Sequence, residues 1–401
     1  MPLIFSKKLN ITGITLDEPS ISLLSSASGK WNVSSLGGNA PKAETSNEAA
    51  PPGNLSIAKL EVTDGKLVVG KANSSTKPLT IEGLNIEVED FSSTTQFPFT
   101  LTADLPGSGS LKLEGKAGPI APGATPLQAS LNIKKLDLAS IGADPSMGLG
   151  NLEGTLDSDG KTAKVKATLS LDKLKLSPKG SPASRDVDVK FATDYDLARQ
   201  SGTITSGDIS VGKAVARLTG NYQSAGDATM LNMKLNAPGL PIDEVEALLP
   251  ALGVTLPAGS GLKGGTLSAS LGISGTTDKL VIAGPVKLEN SKLEGFDLNS
   301  KLPAFSQKAG ASKDTTIQNA SANTRLAPDG ARLDSINVTV PSLGTLTGSG
   351  SGSPAGALNF NMVADLAGGE EQRKGQAAAR KEAGSRLRSR EPRQTPSSSP
   401  M

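Results

Sequence analysis

Apolar and polar residues alternate along most of the chain, in runs separated by glycine, proline and polar turns. Successive side chains of a β-strand point to opposite faces of a sheet, so this alternation predicts strands with one apolar face. The strands fall into two series, one before and one after a single helical segment. The fold class that we predict is mainly β: an elongated, curved, mostly antiparallel sheet or groove of many short strands.

One pattern recurs in these strands. Two alternate apolar residues are followed by two intervening residues and then by two more alternate apolar residues. In a regular strand this spacing would turn the second apolar pair to the opposite face. A β-bulge absorbs one residue and restores the face, so we interpret each copy as a bent strand; chance recurrence of common residues is the alternative. Full copies occupy residues 9–16, 55–62, 79–86, 131–138 and 169–176, and a weaker copy occupies residues 331–338.

Turns and loops are marked by their residue types. The dipeptides Asp64-Gly65 and Asp159-Gly160 predict tight hairpins, and Pro328-Asp329-Gly330 predicts another turn. Residues 37–53 are polar and rich in Pro and Ala, which predicts a disordered loop.

One segment of the strand-rich region, near residues 242–253, has helical spacing. Apolar residues from Ile242 to Leu252 share one helical face, and Asp243 lies in the first turn, where negative charge suits the helix dipole. Pro250 and Gly253 end the pattern, so we predict one or two short turns. Such a helix either covers the end of a sheet or forms a plug or a partner contact.

The last residues, 367–401, differ in composition from everything before them. They hold many Lys, Arg and Glu residues and almost nothing apolar, which predicts a disordered basic tail. A second hypothesis is that this tail is a frameshift product, because the genetic code allows a strand-and-turn ending in an alternative frame.

Composition excludes several kinds of chemistry. The chain has no Cys and no His, which excludes disulfides, thiolate chemistry and Cys/His zinc sites. Its 41 Lys and Arg nearly balance 39 Asp and Glu, which argues against a nucleic-acid partner. No spacing of a catalytic, metal or phosphate-binding motif is present. We therefore expect no enzyme activity, catalytic residue, metal or cofactor.

Three long segments carry a family resemblance. Residues 16–37 contain a strand that leads to Gly29-Lys30-Trp31-Asn32, residues 240–298 contain the helix and the strands after it, and residues 326–366 form a closing series of strands. Together they resemble the C-terminal part of the AsmA family of Gram-negative cell-envelope proteins. By this resemblance we divide the chain into regions 1–239 and 240–366, followed by the tail.

The resemblance implies an inner-membrane protein with an N-terminal helical anchor and a β-rich groove in the periplasm. Larger relatives look like bridge-like lipid transfer proteins that carry phospholipid towards the outer membrane. Older descriptions connect AsmA with outer-membrane protein assembly. No run of this chain reaches the ~18 apolar residues of a membrane helix, and its first residues do not have the pattern of a signal peptide. We therefore expect a fragment of a longer protein.

The function that we expect is binding and guidance of phospholipid in an apolar β-groove, for outer-membrane biogenesis. The alternative is a scaffold that affects outer-membrane protein assembly and regulates protein targeting to the membrane, with envelope or assembly proteins as partners. A third possibility is a closed hydrophobic core built from the same residues. The candidate groove-lining residues are Ile57, Leu60, Val62, Ile133, Leu136, Leu138, Leu171, Leu174 and Leu176.

Overall fold

A computed structural model gives the fold. It describes residues 9–26, 32, 55–72, 78–121, 124–138, 148–175, 180–225, 228–298, 313–354 and 357–366. The predicted loop at 37–53 and the tail at 367–401 lie outside the described residues.

The described residues are mainly β, as predicted, and their strands belong to one sheet. The strands are β1 (Leu9–Ile11), β2 (Ile14–Asp17), β3 (Ser20–Ser25), β4 (Leu55–Lys71), β5 (Leu79–Ser92), β6 (Phe97–Leu105), β7 (Gly109–Ala117), β8 (Leu127–Asp137), β9 (Leu149–Ser158), β10 (Thr162–Asp172), β11 (Val187–Asp196), β12 (Ser201–Val211), β13 (Ala214–Ala225), β14 (Ala228–Pro241), β15 (Gly261–Lys263), β16 (Thr266–Thr276), β17 (Val281–Glu294), β18 (Thr315–Ala327), β19 (Gly330–Val340), β20 (Gly344–Gly352) and β21 (Leu358–Leu366).

The sheet is a long antiparallel meander. From β4 to β14 each strand pairs with the next, β14 then pairs with β16, and the order continues to β21. The short β15 lies beside β17. At the other edge β1, β2 and β3 run parallel to β4 in succession. Many strands are longer than the short ones predicted, and β4 has 17 residues.

The bent-strand interpretation is confirmed in three copies of the pattern. The register between β8 and β9 shifts between Ile133 and Leu136, and Lys135 has a φ of 51°. Glycine occupies the corresponding position of β5, where Gly83 has a φ of 58°. In β19 the shift follows Leu333, and Ser335 has a φ of 53°. The extra residue takes a left-handed conformation, and the apolar residues on both sides keep one face.

The other copies of the pattern accommodate the additional residue in other ways. In residues 9–16 the strand breaks, because β1 ends at Ile11 and β2 begins at Ile14. In residues 55–62 strands β4 and β5 stay in register, with Ile57 opposite Phe91 and Leu60 opposite Val88, because β5 has its own irregularity at Asp90, which has a φ of 47°. In residues 169–176 the left-handed residue is Lys173, just after β10, and Leu176 lies outside the described residues.

Two of the three predicted turns are confirmed, and one is wrong. At Asp159 the carboxylate accepts hydrogen bonds from the backbone N–H groups of Lys161, at 2.8 Å, and Thr162, at 2.7 Å, which closes the β9–β10 hairpin. Pro328-Asp329-Gly330 joins β18 to β19. Asp64-Gly65, however, lies inside β4, because β3 and β5 pair with this strand beyond the dipeptide and extend it. Asp64, with a φ of 50°, forms a bulge there.

The predicted short helix is present. Helix α1 (Ile242–Val245) continues into a 3₁₀ turn (Glu246–Leu248), and the following turn ends at Gly253, which has a φ of 75°. Asp243 occupies the first turn as expected, together with Glu244. The helix follows β14 directly, and the sheet continues on both sides of it. The division of the chain at residue 240 stays a prediction.

Buried apolar residues gather in two clusters on one face of the sheet. The first, around Leu84 and Leu105, lies on β5 and β6. The second contains Leu171, Val187 and Val211 from neighbouring strands and receives Ala247 and Ala251 from the helical segment. The helical segment therefore covers one end of strands β10 to β13, and a role as a plug or partner contact stays a prediction.

The bulge at Lys135 gives a test of the bent-strand geometry. We expect Lys135→Val to lower the free energy of unfolding by about 1–2 kcal/mol, because a β-branched side chain is disfavoured in the left-handed region. Lys135→Gly is expected to change the free energy of unfolding by less than about 0.5 kcal/mol, because glycine adopts the left-handed region readily. The matched control is Lys134→Val in the same bulge, where φ is not left-handed. Urea titration followed by circular dichroism measures all three, and equal losses in both valine variants would contradict the bulge.

Candidate functional site

An apolar face runs across the sheet from β4 to β21. It can be followed from strand to strand through residues that lie opposite each other: Val62 pairs with Ile86, Ile86 with Leu101, and Leu101 with Leu113. The same face continues through the middle of the chain, where Leu235 lies between Leu218 and Leu271. It reaches the last strands through the opposed residues Val286–Ala322, Thr324–Leu333, Leu333–Gly350 and Gly350–Phe360.

Glycines on this face are covered by large neighbours. The ring of Tyr222 lies over Gly202, and the ring of Phe360 lies over Gly350, so closely that a Cβ atom at either glycine would overlap the ring. An aromatic ring placed over a cross-strand glycine protects backbone that has no side chain of its own. The apolar surface therefore stays continuous across the positions where the sequence has no side chain.

The apolar face is covered at one end of strands β10 to β13. Leu171 lies opposite Val187, and Val211 lies opposite Ala214, so these residues form a row at one end of their strands. The helical segment covers the row, and Ala251 is fully buried there. Backbone hydrogen bonds from Ser184 to the Ala247 carbonyl, at 3.1 Å, and from Ser181 to the Pro250 carbonyl, at 2.9 Å, attach the helical segment to the preceding loop.

The remainder of the face is more open. Leu218, Leu235 and Leu271 lie at its centre and are only half-buried, although each has strands on both sides. Over the last strands the face forms a cavity of about 500 Å³. Its lining is almost entirely apolar and includes Val286, Leu288, Ile336, Val338, Phe360 and Met362.

The opposite face is polar, and many of its charges are paired. Lys59 Nζ lies 3.0 Å from Glu87 Oε1, and the Glu87 carboxylate, which hydrogen-bonds to this ammonium, raises the pKa of Lys59. The Lys112 ammonium lowers the pKa of the neighbouring Glu114 carboxyl. A concavity of about 860 Å³ over β5–β9 is lined by such residues. A twisted sheet is saddle-shaped, so a concavity on this face does not exclude one on the apolar face.

The structure places the eight described candidate residues on the apolar face, but not at one point. Ile57, Leu60 and Val62 lie on β4, while Ile133 and Leu136 lie on β8, four strands or about 20 Å away. Leu138, Leu171 and Leu174 belong to the cluster that the helical segment covers. These last three therefore lie in its closed part, and their role in a groove stays a prediction.

The second half of the apolar face was missed as a candidate site. The signal was present in the alternation of Leu231, Met233 and Leu235 and of Ala269, Leu271 and Ile273, which the sequence identified only as strands. Alternation alone does not say that both runs face the same side. The pairing of Met233 with Ile273 and of Leu235 with Leu271 decides this.

In the ranges that the structure describes, no group of three or more Asp and Glu side chains is arranged to hold a metal ion. Within the same ranges, no helix has the length and hydropathy needed to cross a membrane.

No protein-family model, no curated protein and no solved structure matches this chain.

The difference between the open and closed parts of the face can be measured directly, since the chain has no Cys of its own. We expect a thiol reagent to label Leu271→Cys at least about ten times faster than Leu174→Cys, because Leu174 is 5 % exposed beneath the helical segment. In denaturant both variants should react at the same rate, which controls for intrinsic reactivity. Equal rates in the folded protein would show that the helical segment does not close this end.

Proposed function

We propose that this chain is a non-enzymatic, AsmA-like cell-envelope protein that binds phospholipid acyl chains along its apolar face and guides them towards the outer membrane. The observation that carries the proposal is the continuity of that face from β4 to β21, together with the half-burial of its central residues. A face of this kind in contact with water is costly unless something apolar covers it. The resemblance to the AsmA family supports the envelope as its place of action.

The energetics favour an acyl chain as the ligand. Each methylene that leaves water contributes about 0.8 kcal/mol, so ten methylenes lying on the face contribute roughly 8 kcal/mol before the costs of binding. No polar group on the protein is needed for this term. A lipid held in this way can move along the face, because leucine and valine side chains on successive strands offer similar contacts.

The two faces of the sheet differ in polarity, as the two parts of a phospholipid do. Methylenes would contact the apolar side chains, while the headgroup would stay in water beyond them, as in other amphipathic assemblies. Ion pairs on the polar face, such as Lys287–Glu289 at 2.6 Å, are satisfied within the protein. They therefore do not compete for the phosphate, and we expect little selectivity between headgroups.

A carboxylate in the centre of the face tests the proposal. We expect Leu235→Glu to reduce the phospholipid that co-purifies with the chain by roughly tenfold or more, because blocking contact with only two methylenes removes about 1.6 kcal/mol. The matched control is Asn236→Glu, one residue away on the polar face and opposite Arg217. Native mass spectrometry and lipid extraction measure the bound phospholipid in both variants.

The outcomes separate this proposal from a scaffold function. Loss of lipid in Leu235→Glu alone, with equal urea midpoints for both variants, supports the proposal. Absence of phospholipid from the unmodified chain would contradict it and favour a scaffold that acts in outer-membrane protein assembly. Equal loss in both variants would show that binding depends on net charge and not on the apolar face.

A further inference from the structure

The strand β21 forms the last described edge of the sheet. It pairs with β20 over its full length, and no described residue pairs with its other side. Because alternate residues of a strand direct their N–H and C=O groups to opposite sides, a row of backbone donors and acceptors points outward from β21. Such a row is satisfied best by another strand.

Among the described residues, this edge has none of the usual protection. The nine residues of β21 include no Lys, no Arg and no Pro, and Asp365 is its only charged residue. Leu358 is 74 % exposed, Val363 is 66 % exposed, and Phe360 and Met362 are also exposed. Exposed hydrophobic edges promote pairing between chains.

The opposite edge of the sheet is protected. It consists of the short strands β1, β2 and β3, which are separated by Gly13 and by Pro19. Proline cannot donate a ladder hydrogen bond, and Glu18 before it is left-handed, with a φ of 46°. The two edges are therefore not complementary for head-to-tail association.

The sequence of β21 is complementary to itself. When two copies of this nine-residue strand pair antiparallel with full overlap, Met362 lies opposite Met362 of the other copy and Phe360 lies opposite Ala364. On the polar side Asp365 lies opposite Asn359, so no two carboxylates face each other. All opposed residues share a face, as antiparallel pairing requires.

We propose that β21 is a dimerisation edge, through which two copies of this chain join their sheets antiparallel about a twofold axis. A twofold axis perpendicular to the sheet keeps the apolar faces of both copies on the same side, so the apolar face continues from one copy into the other. The following residues, 367–401, are a poor alternative partner, since they contain no Val, Ile, Phe, Tyr or Trp. The inference rests on the edge itself and not on lipid binding.

Charge at the edge tests the dimer. We expect the full chain to sediment as a dimer that dissociates on dilution, and Asn361→Lys/Val363→Lys to be monomeric, because the register places the new charges opposite each other across the interface. The matched control is Thr347→Lys/Ser349→Lys, since Thr347 pairs with Val363 and Ser349 with Asn361 one strand further in. Both control residues are exposed, so this variant should remain dimeric.

A cross-link tests the register. Cα atoms opposite each other in an antiparallel pair are about 4.5–5.5 Å apart, which suits a disulfide. Since the chain has no Cys, Met362→Cys should form a covalent dimer on mild oxidation, while Leu358→Cys should not, because the two copies of this position would lie about 27 Å apart.

Three results would overturn the inference. The first is a chain that is monomeric at every concentration tested. The second is a dimer that survives Asn361→Lys/Val363→Lys, which would place the interface elsewhere. The third is cross-linking of Leu358→Cys in preference to Met362→Cys, which would contradict the twofold register. If lipid binding fails while these tests succeed, the proposed function falls and the dimer stands.

Discussion

The structure depends on one constraint: each strand must keep its apolar residues on one side while its backbone stays hydrogen-bonded to both neighbours. A strand has a strict period of two, so one additional residue would send every later side chain to the wrong face. The chain meets this constraint with residues such as Lys135 and Ser335 in the left-handed conformation. Each is the extra residue of a β-bulge, which bends the strand and lets the hydrogen-bond ladder continue.

Because the constraint is met in strand after strand, the apolar face extends much further than any single hydrophobic core. In a compact domain a second layer would cover such a face. Among the described residues, the helical segment covers the face only at one end of strands β10 to β13, where Ala251 is fully buried. Central residues such as Leu235 remain half-buried. The partial cover is the physical reason for treating the face as a binding surface.

The two edges of the sheet also differ, because one is protected from pairing and the other is exposed. The first edge is broken by Gly13 and Pro19 into short parallel strands, while β21 has a continuous ladder and exposed apolar side chains. A sheet that ends in an unprotected strand can be extended by another strand without any change in its own pairing. The proposed extension at β21 and the proposed acyl-chain binding thus rest on separate features of the same architecture.

Alternation and spacing are local properties, so the sequence alone predicted the strand class, the short helix near Ile242 and three of the bulges, those at Gly83, Lys135 and Ser335. It also placed Leu171 and Leu174 in one copy of the recurring apolar pattern, although β10 ends at Asp172, before Leu174. The pairing of distant strands, in contrast, determines that these two residues lie under the helical segment while Leu235 and Leu271 remain open. It also determines that Asp64-Gly65 continues β4 instead of turning. Both outcomes depend on which strands pair and in what register, and residues distant in the chain supply those hydrogen bonds.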